Sequence, residues 1–155
     1  MNTFSRSVLL GLALLVPAAG LGAAGAQRIL PMLSAPATDA EKAALTRGRA
    51  LVADFYAVKV EGLWKSFTPE LQGGWGSLGS LRAYREAGVQ AYGAERQVLR
   101  EWTFTDGGVA YYVRSARFEE DPNTLWNVVV GFDAAGRVSV FGIMEDDEEV
   151  SGPSA

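Results

Sequence analysis

The chain has 155 residues, 14 Lys and Arg against 18 Asp and Glu, no histidine and no cysteine. That length holds one ordinary domain, and its acidic balance disfavours nucleic acid, which needs clustered Lys and Arg. The missing histidine and cysteine remove Ser-His-Asp and Cys-His catalysis, disulfides, and His- or thiolate-based metal sites.

Arg6, the apolar run Val8 to Val16 and the small residues Ala24-Gly25-Ala26 before Gln27 have the three-part order of an export signal over residues 1–26. This predicts a secreted or periplasmic protein. The alternative is an uncleaved membrane anchor over Val8 to Ala26, which Pro17 and the four glycines of that stretch disfavour. Residues 27–37, with Pro31 and Pro36, read as a linker.

The folded domain is expected over residues 38–144. Thr38-Asp39-Ala40-Glu41 has the spacing of a capping box and predicts a helix start. Leu45, Gly48, Val52, Phe55 and Lys59, with Leu51 and Val58 beside them, then recur at three and four residues, an apolar stripe ending near Val60, with Arg47, Arg49 and Asp54 opposite. Glu61 to Phe67 reads as a second short helix with Leu63, Trp64 and Phe67 on one face. Thr68-Pro69 has the form of an N-cap followed by proline at the first helical position.

Gly74-x-Gly76-x-x-Gly79 has the glycine spacing of a dinucleotide loop. Such a loop must leave a buried strand and open a helix. Thr68 to Gln72 is a helical start instead, so the stretch reads as a flexible connection, with Ser80 capping a third helix over Leu81 to Gly88.

From Ala94 the period becomes two. Val98 to Phe104 and Val109 to Phe118 read as strands around Asp106-Gly107-Gly108, and Thr124 to Asp133 and Arg137 to Ile143 as a second hairpin closed at Gly136. Helices followed by about four antiparallel strands predict an α+β domain, with N-terminal helices packed on one face of the sheet. The acidic residues 145–155 read as a solvated tail that lacks the spaced ligands of a calcium loop.

The long first helix (GRALVADFYAVKVEGLWKSFTPEL), the connection GGWGSLGSLRAY and the strands ending in NVVVGFDAAGRVSVFGI resemble the nuclear transport factor 2-like superfamily, nearest its exported bacterial members. The resemblance runs from about Ala44 to Ile143. It implies a curved sheet wrapped around helices as a cone, often with a pocket at the open end and often a homodimer packed through the sheet. Enzymes of that superfamily with a His-Asp dyad have no counterpart here, and none of the five tyrosines aligns with an isomerase-type site.

Arg100 and Arg114 stand out in apolar, aromatic strands. With a three-residue turn they face each other on one side of the sheet, a repulsion that an anionic ligand or a carboxylate such as Glu61 or Glu86 offsets. With a turn one residue different they part, and Glu101 meets Arg114. Trp64, Trp102 and Trp126 fit core packing as well as a pocket, and Trp75, flanked by glycines, fits a pocket mouth or partner surface. Tyr84 and Asn127 complete the candidate ligand-binding set.

The sequence-level expectation is a non-catalytic domain, without cofactor or metal, that binds a small anionic molecule. The alternatives are a protein-interaction or dimerisation module using the sheet face, or an enzyme with Asp54 or Glu61 as carboxylate base.

Overall fold

A computed structural model describes residues 37–146; the expected export signal, nearly all of the linker and most of the acidic tail lie outside the described residues. Helix α1 (Asp39–Tyr56) begins as expected. The Glu41 N–H donates to Thr38 Oγ1 at 3.1 Å, and the Thr38 N–H donates to Glu41 Oε2 at 2.9 Å. These bonds satisfy N–H groups that a helix start otherwise leaves open. The helix buries Gly48, Val52 and Phe55 of the expected stripe, with Ala44 in place of Leu45, while Lys59 is exposed beyond its end.

Two more helices follow, α2 (Glu61–Ser66) and α3 (Pro69–Trp75), the latter capped by the Thr68 hydroxyl with Pro69 in its first turn. The fourth, α4 (Leu78–Tyr92), is the helix expected over Leu81 to Gly88, longer at both ends. Its cap is Ser77, not Ser80. Ser77 is extended and its hydroxyl accepts the Ser80 N–H at 3.0 Å, so the helix starts three residues before Leu81 and runs on to Tyr92. The sharp turn between α3 and α4 is made by Gly76 at φ 83°. Gly74 thus lies in the last turn of α3 and Gly79 in the first turn of α4, and no strand leads into this glycine stretch.

The strands β1 (Glu95–Asp106), β2 (Val109–Phe118), β3 (Trp126–Phe132) and β4 (Val138–Glu145) form an open antiparallel sheet in sequence order. The β1–β2 turn has only two residues, Gly107 and Gly108, at φ 55° and 80°. Two consecutive positive φ values match the twist of a hairpin and need residues that tolerate them, which selects this turn over the three-residue one. Asp106 therefore pairs with Val109, and Glu101 rather than Arg100 stands opposite Arg114.

The helices cover one face of this sheet. Tyr112 of β2, Val128, Val130 and Phe132 of β3, and Phe141 of β4 meet Val52 and Phe55 of α1 together with Val60, Leu63, Phe67 and Leu81. α1 approaches β2 closely where Gly48 lies on the Tyr112 ring. At its C-terminus, Arg85 of α4 donates from Nε to Phe55 O and from Nη2 to Tyr56 O, each at 3.1 Å. This guanidinium is buried at 6% exposure and packs against the Phe55 and Tyr56 rings. It supplies the positive charge that the last turn of α1 lacks.

α1 ends in a Schellman arrangement, with the Lys59 N–H on Asp54 O at 2.8 Å and Val58 at φ 61° in the left-handed position. A β-branched residue is strained there. Val58→Gly is expected to raise stability by up to about 1 kcal/mol, read from urea unfolding. A loss of stability would show that the half-buried valine side chain contributes more than the strain costs.

Candidate functional site

The seven candidate residues fall into three places. Trp64, Trp75 and Tyr84 belong to an aromatic group on the helical side. Trp75 meets Tyr84 edge-on at 5.1 Å between ring centroids, and Phe141 joins Trp75 to Phe67, on which Trp64 packs. The three are half-buried at the margin of the core. Trp75 is thus the last residue of α3, fixed against two rings, and not part of a flexible connection.

Arg114 lies on the helix-covered face in a charged network. Its Nε donates to Glu95 Oε2 at 2.9 Å and its Nη1 to Glu101 Oε1 at 3.0 Å. Glu101 also accepts from Arg49 of α1, at 2.8 Å from Nη2, and from the Tyr112 hydroxyl. The Tyr56 hydroxyl is buried nearby and has no hydrogen-bond partner among the described residues. Burial pushes it up, and the Glu95 carboxylate adds to the shift.

The donors on Glu101 hold its carboxyl down to about 2, Arg49 contributing most against the opposing effect of burial. Tyr112 is pushed up to about 12, by burial first and then by Glu101. A depressed carboxyl stabilises the fold above its unfolded value and loses that contribution as the pH falls through the folded one. Glu101 is therefore expected to give on the order of 2 kcal/mol at neutral pH, lost between about pH 5 and pH 2. Glu101→Gln should flatten the stability curve over that window. An unchanged acid limb in the variant would contradict this.

Asp54 and Glu61, the acids considered for catalysis, are both exposed. Glu61 is paired with Arg82, which lowers its carboxyl and so makes it a weaker general base.

Arg100, Trp102 and Asn127 lie on the other face of the sheet, away from the helices. The register builds this outer face in rows across the four strands. They are Phe104–Tyr111–Gly131–Val140, Trp102–Val113–Val129–Gly142 and Arg100–Ser115–Asn127–Met144. Phe104 and Tyr111 stack at 4.8 Å with an interplanar angle of 11°. The Arg100 guanidinium sits 4.2 Å from the centroid of the Trp102 ring and pairs loosely with Asp146 at 3.9 Å. Ser115 donates to Asn127 Oδ1 across the β2–β3 pair.

Ser115 is only 1% exposed although it points away from the helices. Phe104 at 40% and Met144 at 52% exposure stand among the most exposed large apolar residues of the described chain. Among the described residues β1 is an edge of the sheet, but its register slips twice, around Arg96 and around Leu99. Such bulges and nearby arginines hinder strand addition at an edge, so contact through the face is the better-supplied route.

Comparison of the chain with protein-family models, with curated proteins and with solved structures finds no match.

Proposed function

We propose that this chain is an exported nuclear transport factor 2-like domain that serves as a protein-interaction module, binding through the outer face of its sheet. One observation carries the reading: the rows around Trp102, Phe104, Tyr111, Val129 and Met144 form a contiguous apolar, aromatic surface on the side opposite the helices. A surface of this kind on a small domain favours association, and aromatic residues there supply most of the binding energy.

The reading as a pocket for a small anion has less support. Arg114, on the helix-covered face, already directs its donors to Glu95 and Glu101, and Arg100 lies on the opposite face from it. The order of helices and antiparallel strands supports the family reading, and the Arg6 to Ala26 pattern the export.

Native mass spectrometry of the full chain from an exporting host tests the proposal. The wild-type protein is expected as a complex, with a second copy or with another protein. Trp102→Glu and Phe104→Asp should release it while changing stability by about 1 kcal/mol or less. A bare monomer in the wild type, or a complex that both variants leave intact, rejects the reading.

A further inference from the structure

The outer face is not uniform. Its end at the start of β1 and β3 carries hydrogen-bond donors around the buried Ser115. Arg100 is about half exposed, so only part of its guanidinium is engaged by Trp102 and Asp146. Arg117, two residues beyond Ser115 on the same side of β2, has a buried Nε with no hydrogen-bond partner among the described residues. Asn127 uses its Oδ1 for the Ser115 hydroxyl, which leaves its Nδ2 as the outward polar group. The resident carboxylate of Asp146 at Arg100 indicates the chemistry that this corner takes. Next to it stand Trp102 and Met144.

We infer that the partner presents to this face an acidic segment with apolar residues between its carboxylates, the acids meeting Arg100, Arg117 and Asn127 and the apolar side chains lying on Trp102 and Met144. This rests on the outer-face reading and specifies its partner. Two guanidinium groups and an amide supply only donors at their outward edges, and a carboxylate supplies only acceptors. A basic or neutral segment would bring the two guanidinium groups no negative charge beyond that of Asp146 as water is excluded from around them.

Fluorescence anisotropy with the full chain tests it, using a short labelled peptide of alternating glutamate and leucine and a lysine–leucine counterpart. The glutamate peptide is expected to bind and the lysine peptide to fail. Arg100→Glu and the double variant Arg100→Ala/Arg117→Ala should each weaken binding about ten-fold or more, with melting temperature monitored to confirm folding. Arg100→Glu acts at an exposed position, so it remains informative if loss of Arg117 disturbs the fold. No binding of the glutamate peptide, or equal binding by wild type and Arg100→Glu, overturns the inference. Either result leaves the sheet-face reading standing, because that is judged by Trp102→Glu and Phe104→Asp. A chain ending at Asp146 that binds the glutamate peptide about ten-fold more tightly than the full chain would also overturn it, naming the chain's own acidic run as the occupant.

Discussion

Gly48→Ala should be among the most damaging single-methyl changes in this protein. A Cβ at position 48 would stand 2.7 Å from Tyr112 Cβ and closer still to Cγ and Cδ1 of its ring. Rotating the ring away does not relieve this, because Tyr112 Cβ is fixed by the β2 backbone and its hydroxyl is bound to Glu101. Helix α1 must therefore lift from the sheet, opening contacts of Val52 and Phe55 with the core.

Alanine gains about 1 kcal/mol over glycine within a helix. Overpacking costs typically 1 to 3 kcal/mol and here, with no flexible side chain to relax it, stands at the upper end, so the expected net loss is about 2 kcal/mol. Gly62→Ala and Gly73→Ala are the controls, since a Cβ at either position meets nothing within 4 Å. Both should be neutral or stabilising by up to about 1 kcal/mol. Urea unfolding separates the cases, and a Gly48→Ala protein as stable as these controls would mean that α1 does not sit so close to β2.

Arg85→Met is expected to cost about 3 kcal/mol, because it removes two hydrogen bonds from a charged donor and leaves the Phe55 and Tyr56 carbonyls without that donor in a buried setting. For a domain of this size the melting temperature should fall by roughly 10 °C. Burial draws the guanidinium down from its ordinary value, while Tyr56 and Tyr84 act against that shift. Arg85→Lys should recover only part of the loss, as an ammonium cannot reproduce the fork that reaches two carbonyls. A methionine variant within about 1 kcal/mol of wild type would show that water or a neighbouring donor satisfies both carbonyls.

The sequence was legible where local chemistry decides the outcome. The Thr38–Glu41 cap, the stripe from Gly48 to Phe55 and the second hairpin at Gly136 each depend on residues close together in the chain. The Gly107-Gly108 turn carried the register in its own residues, because two adjacent glycines permit the two-residue turn that parts Arg100 from Arg114. The α4 start was misplaced by three residues because Ser77 and Ser80 are equally good caps in isolation, and only the chain direction set by Gly76 chooses between them.

The sites were harder to read. Arg85 gives no local sign of its role, because that role lies in carbonyls thirty residues earlier in the chain. Glu95 was missed because its partner, Arg114, lies 19 residues on in the neighbouring strand, and only the β1–β2 pairing brings the two together. The three outer-face candidates were separated from Arg114 by strand parity, a property of pairing that no single strand contains.

Oxidative footprinting of the full chain, compared between dilute purified protein and the extract of the exporting host, tests the proposed face most directly. Trp102, Phe104, Tyr111 and Met144 should react less in the extract, while Trp64 and Trp75 react equally in both. Equal reactivity of the four outer-face residues in the two samples, or protection confined to Trp64 and Trp75, would contradict the account.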